Sequence, residues 1–477
     1  MSSLFNIIRK EKADVIVIGC GVAGLSVAAS ALEHGASVII LEKAPKEEAG
    51  GNNLYNDRGA FRHVHDEPDE PYIYGSYSEE EYFEDIMKVT GGKADRELAW
   101  LIVKGSREIV SWLNAMGIKW TRVPHLHSER THRFVEGAGP GLLNTLLKYV
   151  EQKRGRIYYE MKAESLLRNI YGRVVGVKAL GKDGFVIFLG KAIVLACGGF
   201  QANDEMLARY VKLVNKPLLR GTKYDTGDGL IMASKVGASM TGAFQDFHCA
   251  SMDARAPSIG CGTSYRIDCI PYGILVNKYG KRFLDEGEDL YTLTYAKFGR
   301  LILEQPDGIA YAIHDAKVAN LYPKPPTNPF IAETIRELAL KINIPPEVLE
   351  DTINEFNNHV VQGIFDPKKK DGLHTEGIIP PKSNWAVKID MPPFYAYPAR
   401  GGITFTFGGL KIDLNGRVLN TEDKPIPGLY ATGDLIGGLF YNNYPGGTGI
   451  ARNLVLGKII GRNAAMESEP DYNILIE

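Results

Sequence analysis

The sequence predicts an α/β protein in which a unit built on a parallel sheet is interrupted by an inserted α+β domain. Short runs of branched apolar residues, typical of buried parallel strands, occur at Val15–Ile18, Val38–Leu41 and 191–200. A glycine-rich turn follows the first run, and loops rich in Tyr and Pro separate the third run from further strands near the C-terminus. The predicted division is therefore a first unit at 10–242, an inserted domain at 243–392 and the return of the first unit at 393–477.

The turn after the first strand has the pattern of a dinucleotide-binding site. Gly19-x-Gly21-x-x-Gly24 allows a tight turn, close approach of a pyrophosphate and close packing of the next helix, predicted at 25–33. The N-terminal amides of that helix would face the phosphates. Glu42 ends the second strand about 20 residues later, where a carboxylate accepts hydrogen bonds from ribose. Together these features predict a Rossmann-like domain.

Composition favours a globular enzyme. The chain has 477 residues, 44% hydrophobic and 23% charged, and its net charge of −2 gives no field for nucleic acid. Five cysteines without CxxC spacing are typical of a reducing cytoplasm. The apolar run at 15–32 imitates a signal peptide or membrane span, but Gly and Ser interrupt it and no second such segment follows. We therefore expect a cytoplasmic protein with no transmembrane segment.

Other segments complete the predicted units. Alternating residues at 156–190, with turns at 171–172 and 183–184, predict an antiparallel ribbon. The remaining predicted elements are helices at 107–116, 142–152, 345–358 and Thr448–Ala465, and strands at 405–413, 417–418 and 427–433.

The whole set of motifs resembles a known family. The motifs are the glycine turn, Gly50-Gly51-Asn52, VLACGGF, TGDG at 226–229, GILVNKYGKRFLDE, TFGGLKID, LYATGD and YPGGTGIARNLVLGKIIG. They resemble the FAD-dependent fumarate reductase, succinate dehydrogenase and 3-ketosteroid dehydrogenase superfamily, and RFLDEGEDLYTLTYAKFGR is most similar to its tricarballylate dehydrogenase-like branch. The resemblance implies bound FAD, a capping domain over the isoalloxazine, and transfer of two hydrogens across a C–C bond beside a carbonyl or carboxylate.

The resemblance also implies the cofactor contacts. Gly449 and Ile450 would offer amides to the flavin N1–C2=O edge, where a helix N-terminus stabilises the charge of reduced flavin. No histidyl-flavin motif stands near 52–62, so the expected FAD is non-covalent. The predicted FAD-binding residues are Gly19, Gly21, Val22, Ala23, Gly24, Glu42, Lys43, Gly50, Gly51, Asn52, Ala163, Ala196, Cys197, Gly198, Asp228, Gly433, Asp434, Thr448, Gly449 and Ile450.

The predicted substrate site departs from the carboxylate-reducing members that the sequence resembles. Tyr444 stands in place of a substrate-binding Arg and Phe405 in place of a His, while Leu290, Tyr291 and Thr292 stand where the proton-donor Arg is expected. A tyrosine supplies one neutral hydrogen bond where an arginine makes a bidentate ionic one. Fumarate and succinate are therefore disfavoured as substrates.

Tyr444-Pro445-Gly446 resembles instead the ketosteroid dehydrogenase arrangement. That resemblance implies that Tyr444 and the Thr448 amide polarise a substrate ketone. Tyr291 and Tyr295 are candidates for the base or its relay, although both could simply pack in the cap.

A tyrosine base needs a neighbouring cation, because its ordinary pKa is near 10. Lys297, Arg300 or Arg400 could supply it. Arg266 and Arg400 are also candidates for carboxylate anchors, so an acid substrate stays open. The predicted catalytic set is Tyr444, Tyr295, Tyr291 and Arg400.

Three histidines, His125, His127 and His132, share one stretch of chain. They lack an accompanying Cys or Asp cluster, so the sequence predicts no metal site but a solvated or lid loop.

Three hypotheses about function follow. The first is an FAD-dependent dehydrogenase or ene reductase acting beside a carbonyl, on a ketone-bearing substrate. The second is a tricarballylate or dicarboxylate dehydrogenase, and the third is a flavin-binding subunit of an electron-transfer complex. The sequence has no cysteine set for iron–sulfur clusters and no haem motif, so electrons would pass to or from a separate protein, quinone or diffusible molecule.

Overall fold

The central sheet has six strands and confirms the predicted α/β class. The computed structural model describes residues 7–56, 58–122 and 127–475. Neighbouring strands pair in parallel, except that Arg417–Leu419 and Pro425–Ala431 pair antiparallel. The strand order is Arg417–Leu419, Pro425–Ala431, Ala192–Leu195, Val15–Ile18, Val38–Leu41 and Arg156–Tyr158. The predicted strands at 15–18 and 38–41 are confirmed, whereas those predicted at 191–200 and 427–433 have different ends.

The first helix, Val22–Glu33, crosses the last helix, Thr448–Ala465, at close range. A Cβ added to Gly457 would lie 2.3 Å from the Cβ of Ser26, and one added to Gly461 would lie 2.4 Å from a backbone oxygen. The last helix has its predicted bounds, and the first begins three residues before the predicted 25. The two helices therefore pack backbone to backbone where Gly457 and Gly461 face the first helix.

A second sheet flanks the first. Its strand order is Ile7–Lys12, Gly184–Leu189, Val174–Gly181 and Lys162–Arg168, and the last three form the predicted antiparallel ribbon. Arg156–Tyr158 was predicted in the ribbon but joins the central sheet, because its apolar Ile157 pairs with Ile40 of a buried strand.

A third sheet, here called the cap sheet, is organised around the long strand Phe394–Thr406. Leu218–Leu219, Phe247–Asp253, Ile309–His314 and Phe330–Ala332 all pair with that strand, and Ile274–Asn277 pairs with Ile309–His314. The cap sheet thus joins segments from both sides of the predicted boundaries at 242 and 393, and those boundaries remain a prediction.

The strand predicted at 405–413 is wrong in extent. Phe394–Thr406 ends there, and only Gly409–Leu410 follows as a separate strand, paired with Met240–Thr241. Phe407 and Gly408 lie between the two strands, and Gly408 packs against Phe244, where an added Cβ would be 2.5 Å from the ring.

Helices cover the faces of the sheets. Arg96–Ala115 begins well before its predicted start, because Asp95 accepts hydrogen bonds from the amides of Glu97 and Leu98. The other helices are Glu79–Val89, Ala138–Gln152, Asp204–Met206, Asp228–Lys235, Tyr291–Leu303, Ile335–Lys341 and Pro346–His359, and a small sheet joins Ala60–Arg62, Trp120–Thr121 and His132–Val135. No helix in the described ranges is long and apolar enough to cross a bilayer.

Candidate active site

A first cavity opens at the carboxyl ends of the parallel strands, where α/β folds bind nucleotides. Most of the predicted FAD-binding residues line it. They are Gly19, Gly21, Val22, Ala23, Glu42, Lys43, Gly50, Gly51, Asn52, Ala163, Ala196, Cys197, Gly198, Asp228, Gly433 and Asp434.

The glycine turn fits a pyrophosphate. The first helix has Gly21 as N-cap, no side chain capping its amides and no acidic residue in its first turn, so its N-terminus is free to receive an anion. A Cβ on Gly21 would meet no protein atom closer than the Gly50 oxygen at 3.6 Å, which leaves room for a ligand. Gly24 does not line the cavity as predicted, because it packs with its Cα side against the Gly19 carbonyl, 2.0 Å from an added Cβ.

Three charged residues, Glu42, Lys43 and Asp228, line the first cavity. The Glu42 carboxylate accepts hydrogen bonds from the amides of Cys20, at 2.9 Å, and Ala44, at 2.8 Å, while burial raises its pKa. Lys43 donates to Asp228 at 2.6 Å. Glu42 is therefore fixed where an adenosine ribose would lie, and Asp228 is already paired with a cation.

A second cavity adjoins the first. Asn52, Asn53, Asp434 and Asn453 line both, so one elongated ligand can extend from one to the other. Asp434 is held there by Arg452 and by Asn52, whose amide nitrogen lies 3.4 Å away. A dinucleotide with a flavin at one end has this extended shape.

The N-terminus of the last helix borders the second cavity. Its N-cap is Gly447, no side chain caps its amides, and its first turn holds no acidic residue. Gly449 and Ile450 line the cavity, as expected for residues whose amides face a flavin. Together the two uncapped helix ends and the joined cavities fit FAD.

Tyr444, Tyr295 and His248 form a hydrogen-bonded chain in the wall of the second cavity. The Tyr295 hydroxyl lies 2.9 Å from that of Tyr444 and 3.1 Å from Nε2 of His248. The Gly447 amide donates to the Tyr444 oxygen at 3.3 Å. All three aromatic side chains line the cavity, so the chain can exchange a proton with a ligand there.

Burial determines the protonation states at the two ends of this chain. It raises the pKa of the Tyr444 phenol well above 10, and it lowers the pKa of His248 well below 6.5, with a further lowering by the charge of Arg220. At neutral pH Tyr444 is thus a protonated donor and His248 a neutral imidazole.

Two predicted catalytic contacts are not found. Tyr291 is fully buried, donates its hydroxyl to the Ile267 carbonyl at 3.0 Å and does not line the cavity. The Thr448 amide donates to the Pro445 carbonyl at 3.2 Å, because the chain turns tightly before the helix, and Thr448 does not line either cavity. Tyr291 therefore packs in the protein interior, and the Thr448 amide already has a hydrogen-bond partner.

The cations predicted beside the tyrosines lie elsewhere. Lys297 pairs with Glu288 and Arg300 with Asp246, while Arg400 donates to the Lys216 carbonyl at 2.8 Å and does not line the cavity. Arg400 does not reach the cavity because of its position in the cap sheet, where its strand pairs with a neighbour on each side.

Arginines from other positions line the second cavity instead. Arg266, predicted as a possible carboxylate anchor, lies 4.7 Å from the Tyr295 ring centre, and both Arg266 and Arg58 bind Asp268. Arg220 also lines the cavity. Arg58, Arg220 and His248 were missed by sequence reasoning. The sequence could have indicated two of them, because Arg58 lies a few residues after Gly50-Gly51-Asn52 and Arg220 lies a few residues before the TGDG turn.

The histidine stretch is not a solvated loop where it is described. His127 is buried against Trp385 and accepts from the Tyr291 amide, and His132 lies in a strand and lines the second cavity. His125 lies outside the described residues. Among the described residues no group of His, Cys, Asp or Glu could hold a metal ion.

The fold and these paired cavities define an FAD-binding oxidoreductase. The chain matches the family described as "FAD binding domain" over residues 14–450, and it belongs to that family. It is 30% identical over 471 residues to a probable fumarate reductase of Shewanella frigidimarina, which covers 95% of this chain and 75% of that protein.

Solved structures agree. A flavocytochrome c3 fumarate reductase in its open conformation superposes with a TM-score of 0.73 at 27% identity, over 96% of this chain and 78% of that one. A 3-ketosteroid Δ4-(5α)-dehydrogenase from Rhodococcus jostii superposes with a TM-score of 0.75 over 97% of this chain and 98% of that one; at 24% identity this shows the shared fold. The protein is an FAD-dependent oxidoreductase acting on CH–CH groups.

Proposed function

We propose that this enzyme adds or removes two hydrogens across a C–C bond next to a carbonyl, and that Tyr444 polarises the carbonyl. FAD, when bound, supplies the two-electron oxidation or reduction. The observation that carries the proposal is the 2.9 Å contact between the hydroxyls of Tyr444 and Tyr295, in a cavity wall beside the uncapped last helix.

Tyr444 is suited to donate to a substrate oxygen. Its raised pKa keeps the phenol protonated, and the Gly447 amide occupies a lone pair of its oxygen. Aromatic side chains surround it, including Phe405 and Phe440, so the donor acts in a poorly solvated site where such a hydrogen bond is strong. A polarised carbonyl makes the neighbouring C–H acidic and the conjugated C=C electron-poor.

Tyr295 and His248 are suited to move the proton. In dehydrogenation a substrate proton passes to Tyr295 as its own proton moves to the neutral His248; in reduction the protons move in the opposite order. The Arg266 guanidinium lies over the Tyr295 ring, 4.7 Å from its centre, and holds the ring in place by a cation–π contact. Tyr295 therefore takes the base or relay role, and Tyr291 does not.

A second candidate is a substrate whose carbonyl belongs to a carboxylate, as in the tricarballylate or dicarboxylate hypothesis. Arg266 and Arg220 in the cavity wall favour it. The electron partner, a protein, quinone or diffusible molecule, stays a prediction, as do the cytoplasmic location and the electron-transfer-subunit hypothesis.

Acid precipitation of the purified yellow protein tests the cofactor. We propose non-covalent FAD, so trichloroacetic acid should release all flavin into the supernatant. Flavin that stays with the protein pellet would contradict the non-covalent assignment, and a colourless protein that FAD cannot reconstitute would contradict the cofactor itself.

Anaerobic mixing tests the reaction. The photoreduced holoenzyme is mixed in turn with unsaturated acids (crotonate, cinnamate, fumarate, aconitate) and unsaturated ketones (benzylideneacetone, 2-cyclohexenone), with 3-phenylpropionate as the saturated control. The proposal predicts that at least one unsaturated compound reoxidises the flavin in a stoichiometric reaction, whereas 3-phenylpropionate does not. It is wrong if ferricyanide reoxidises the flavin and none of the six compounds does.

A further inference from the structure

Arg220 lines the second cavity without a carboxylate partner. Its terminal nitrogens donate to the hydroxyls of Thr404, at 2.8 Å, and Thr263, at 3.0 Å, and its Nε is buried with no hydrogen-bond partner. Arg58 and Arg266 differ, because both bind Asp268. Within the described ranges no acidic side chain forms an ion pair with Arg220.

The backbone fixes Arg220 in place. It follows the strand Leu218–Leu219, which pairs with the long strand of the cap sheet, and its amide donates to the Ile403 carbonyl at 2.8 Å. The guanidinium is thus held by two hydroxyls, and the backbone that carries it is fixed by its own hydrogen bond. Little conformational freedom would be lost when it binds a ligand.

Its charge acts on the reacting groups. The positive charge of Arg220 lowers the pKa of His248 and opposes the rise in the pKa of Tyr444. Arg220 therefore lies close enough to the proposed proton chain for a group bound to it to sit beside that chain.

A partly buried cation without a counterion is costly unless a ligand supplies negative charge. The FAD pyrophosphate is not that ligand, because the glycine turn that fits it lines the first cavity and Arg220 does not. The negative edge of reduced flavin is assigned to the N-terminus of the last helix, so the substrate remains as the source of the anion for Arg220. The guanidinium fork, with an unpaired Nε, matches the geometry of a carboxylate.

We propose that Arg220 binds a carboxylate of the substrate, and that the enzyme prefers carboxylic acids to neutral ketones of the same skeleton. This inference rests on the proposed function and narrows its substrate class. The presence of Tyr444 in place of an Arg suggested a ketone-bearing substrate. The present inference reverses that preference, because Arg220 supplies a positive charge from a different part of the fold.

Binding of saturated probes to the oxidised holoenzyme tests Arg220 separately from turnover. The two probes, 3-phenylpropionate and 4-phenylbutan-2-one, share a skeleton and differ in carboxylate against methyl ketone. Their dissociation constants come from flavin difference spectra of the wild type, Arg220→Met and Arg220→Lys. Arg336→Met is the matched control, since Arg336 is an exposed cation on helix Ile335–Lys341 that pairs with Glu347.

The proposal predicts that Arg220→Met weakens 3-phenylpropionate binding by roughly 10- to 100-fold, the effect of losing a charged hydrogen bond, and leaves ketone binding unchanged. Arg220→Lys should keep part of the acid affinity, and Arg336→Met all of it. An Arg220→Met protein that binds the acid as the wild type does, or loses acid and ketone equally, overturns the proposal, as does a wild type that does not bind the acid. Failure of the proposed function would give a different result: no unsaturated compound would reoxidise the reduced flavin.

Discussion

The hydroxyl oxygen of Tyr444 lies 2.9 Å from that of Tyr295, and His248 lies 3.1 Å behind Tyr295. The three residues come from the turn before the last helix, the helix Tyr291–Leu303 and a strand of the cap sheet. The contact therefore joins the segment before the last helix to the helix Tyr291–Leu303 at the proposed reaction centre.

Tyrosines one helical turn apart should respond differently to loss of the hydroxyl. Tyr295→Phe removes the proton relay, so single-turnover flavin reoxidation should slow by roughly 100-fold, the usual effect of a positioned acid or base. Tyr291→Phe should leave that rate unchanged and lower the free energy of unfolding by about 1 to 3 kcal/mol, because the buried contacts of its hydroxyl with the Ile267 carbonyl and the Asp268 side chain are lost. Stopped-flow absorbance measures the rates, and urea unfolding measures the stability. If Tyr291→Phe reacted slowly and Tyr295→Phe at the wild-type rate, Tyr291 and not Tyr295 would be the base or relay.

Gly21→Val should separate cofactor binding from folding. Gly21 has φ −78°, which any residue adopts, and an added Cβ has no protein neighbour closer than 3.6 Å. Its side chain would instead occupy the space for the pyrophosphate, so the purified protein should have the wild-type circular dichroism spectrum and little FAD.

Gly19→Ala is the contrasting variant. It should fail to fold, since its Cβ would lie 2.3 Å from the Ala196 carbonyl at a φ of 109°. If Gly21→Val retains full FAD content, the pyrophosphate does not lie beside Gly21.

Buried histidines should make stability depend on pH. Burial lowers the pKa of His314 from 6.5 to about 4, so the unfolded chain takes up its proton first as the pH falls. This contribution to stability is complete above pH 6.5 and is lost as the pH falls toward 4. Between pH 6.5 and 4.5, the free energy of unfolding of His314→Gln should therefore fall by about 2 kcal/mol less than that of the wild type. Urea unfolding with excess FAD measures both values. Parallel pH profiles of the two proteins would show that His314 is not buried as a neutral group.

Local patterns predicted the nucleotide half of the site. The strand, glycine turn and helix from Val15 to Glu33 form one contiguous βα unit, and its glycine spacing can be read without knowledge of the rest of the chain. The last helix was equally predictable, because Gly446-Gly447 marks its start. The roles of Gly24 and Thr448 required the structure, since neither residue lines a cavity although both stand in the predicted motifs.

The substrate half depended on pairings between distant segments. Arg220 and His248 reach the cavity because both of their segments pair with the strand Phe394–Thr406, and no local pattern fixes that register. Tyr291 and Tyr295 lie on one helix, and only the packing of its first turn on Ile267 shows which hydroxyl is already used. Arg400 looked equally suitable as a cation, but its guanidinium is turned to the Lys216 carbonyl.

Single-turnover reoxidation of the reduced flavin in Tyr444→Phe tests the central claim most directly. The oxidant is whichever unsaturated compound reoxidises the wild-type protein fastest, and Tyr279→Phe, in an exposed turn, is the matched control. If Tyr444 donates to the substrate carbonyl, its Phe variant should bind FAD normally and react roughly 100-fold more slowly, while Tyr279→Phe reacts as the wild type does. A Tyr444→Phe protein that reacts at the wild-type rate would contradict the proposed role of Tyr444.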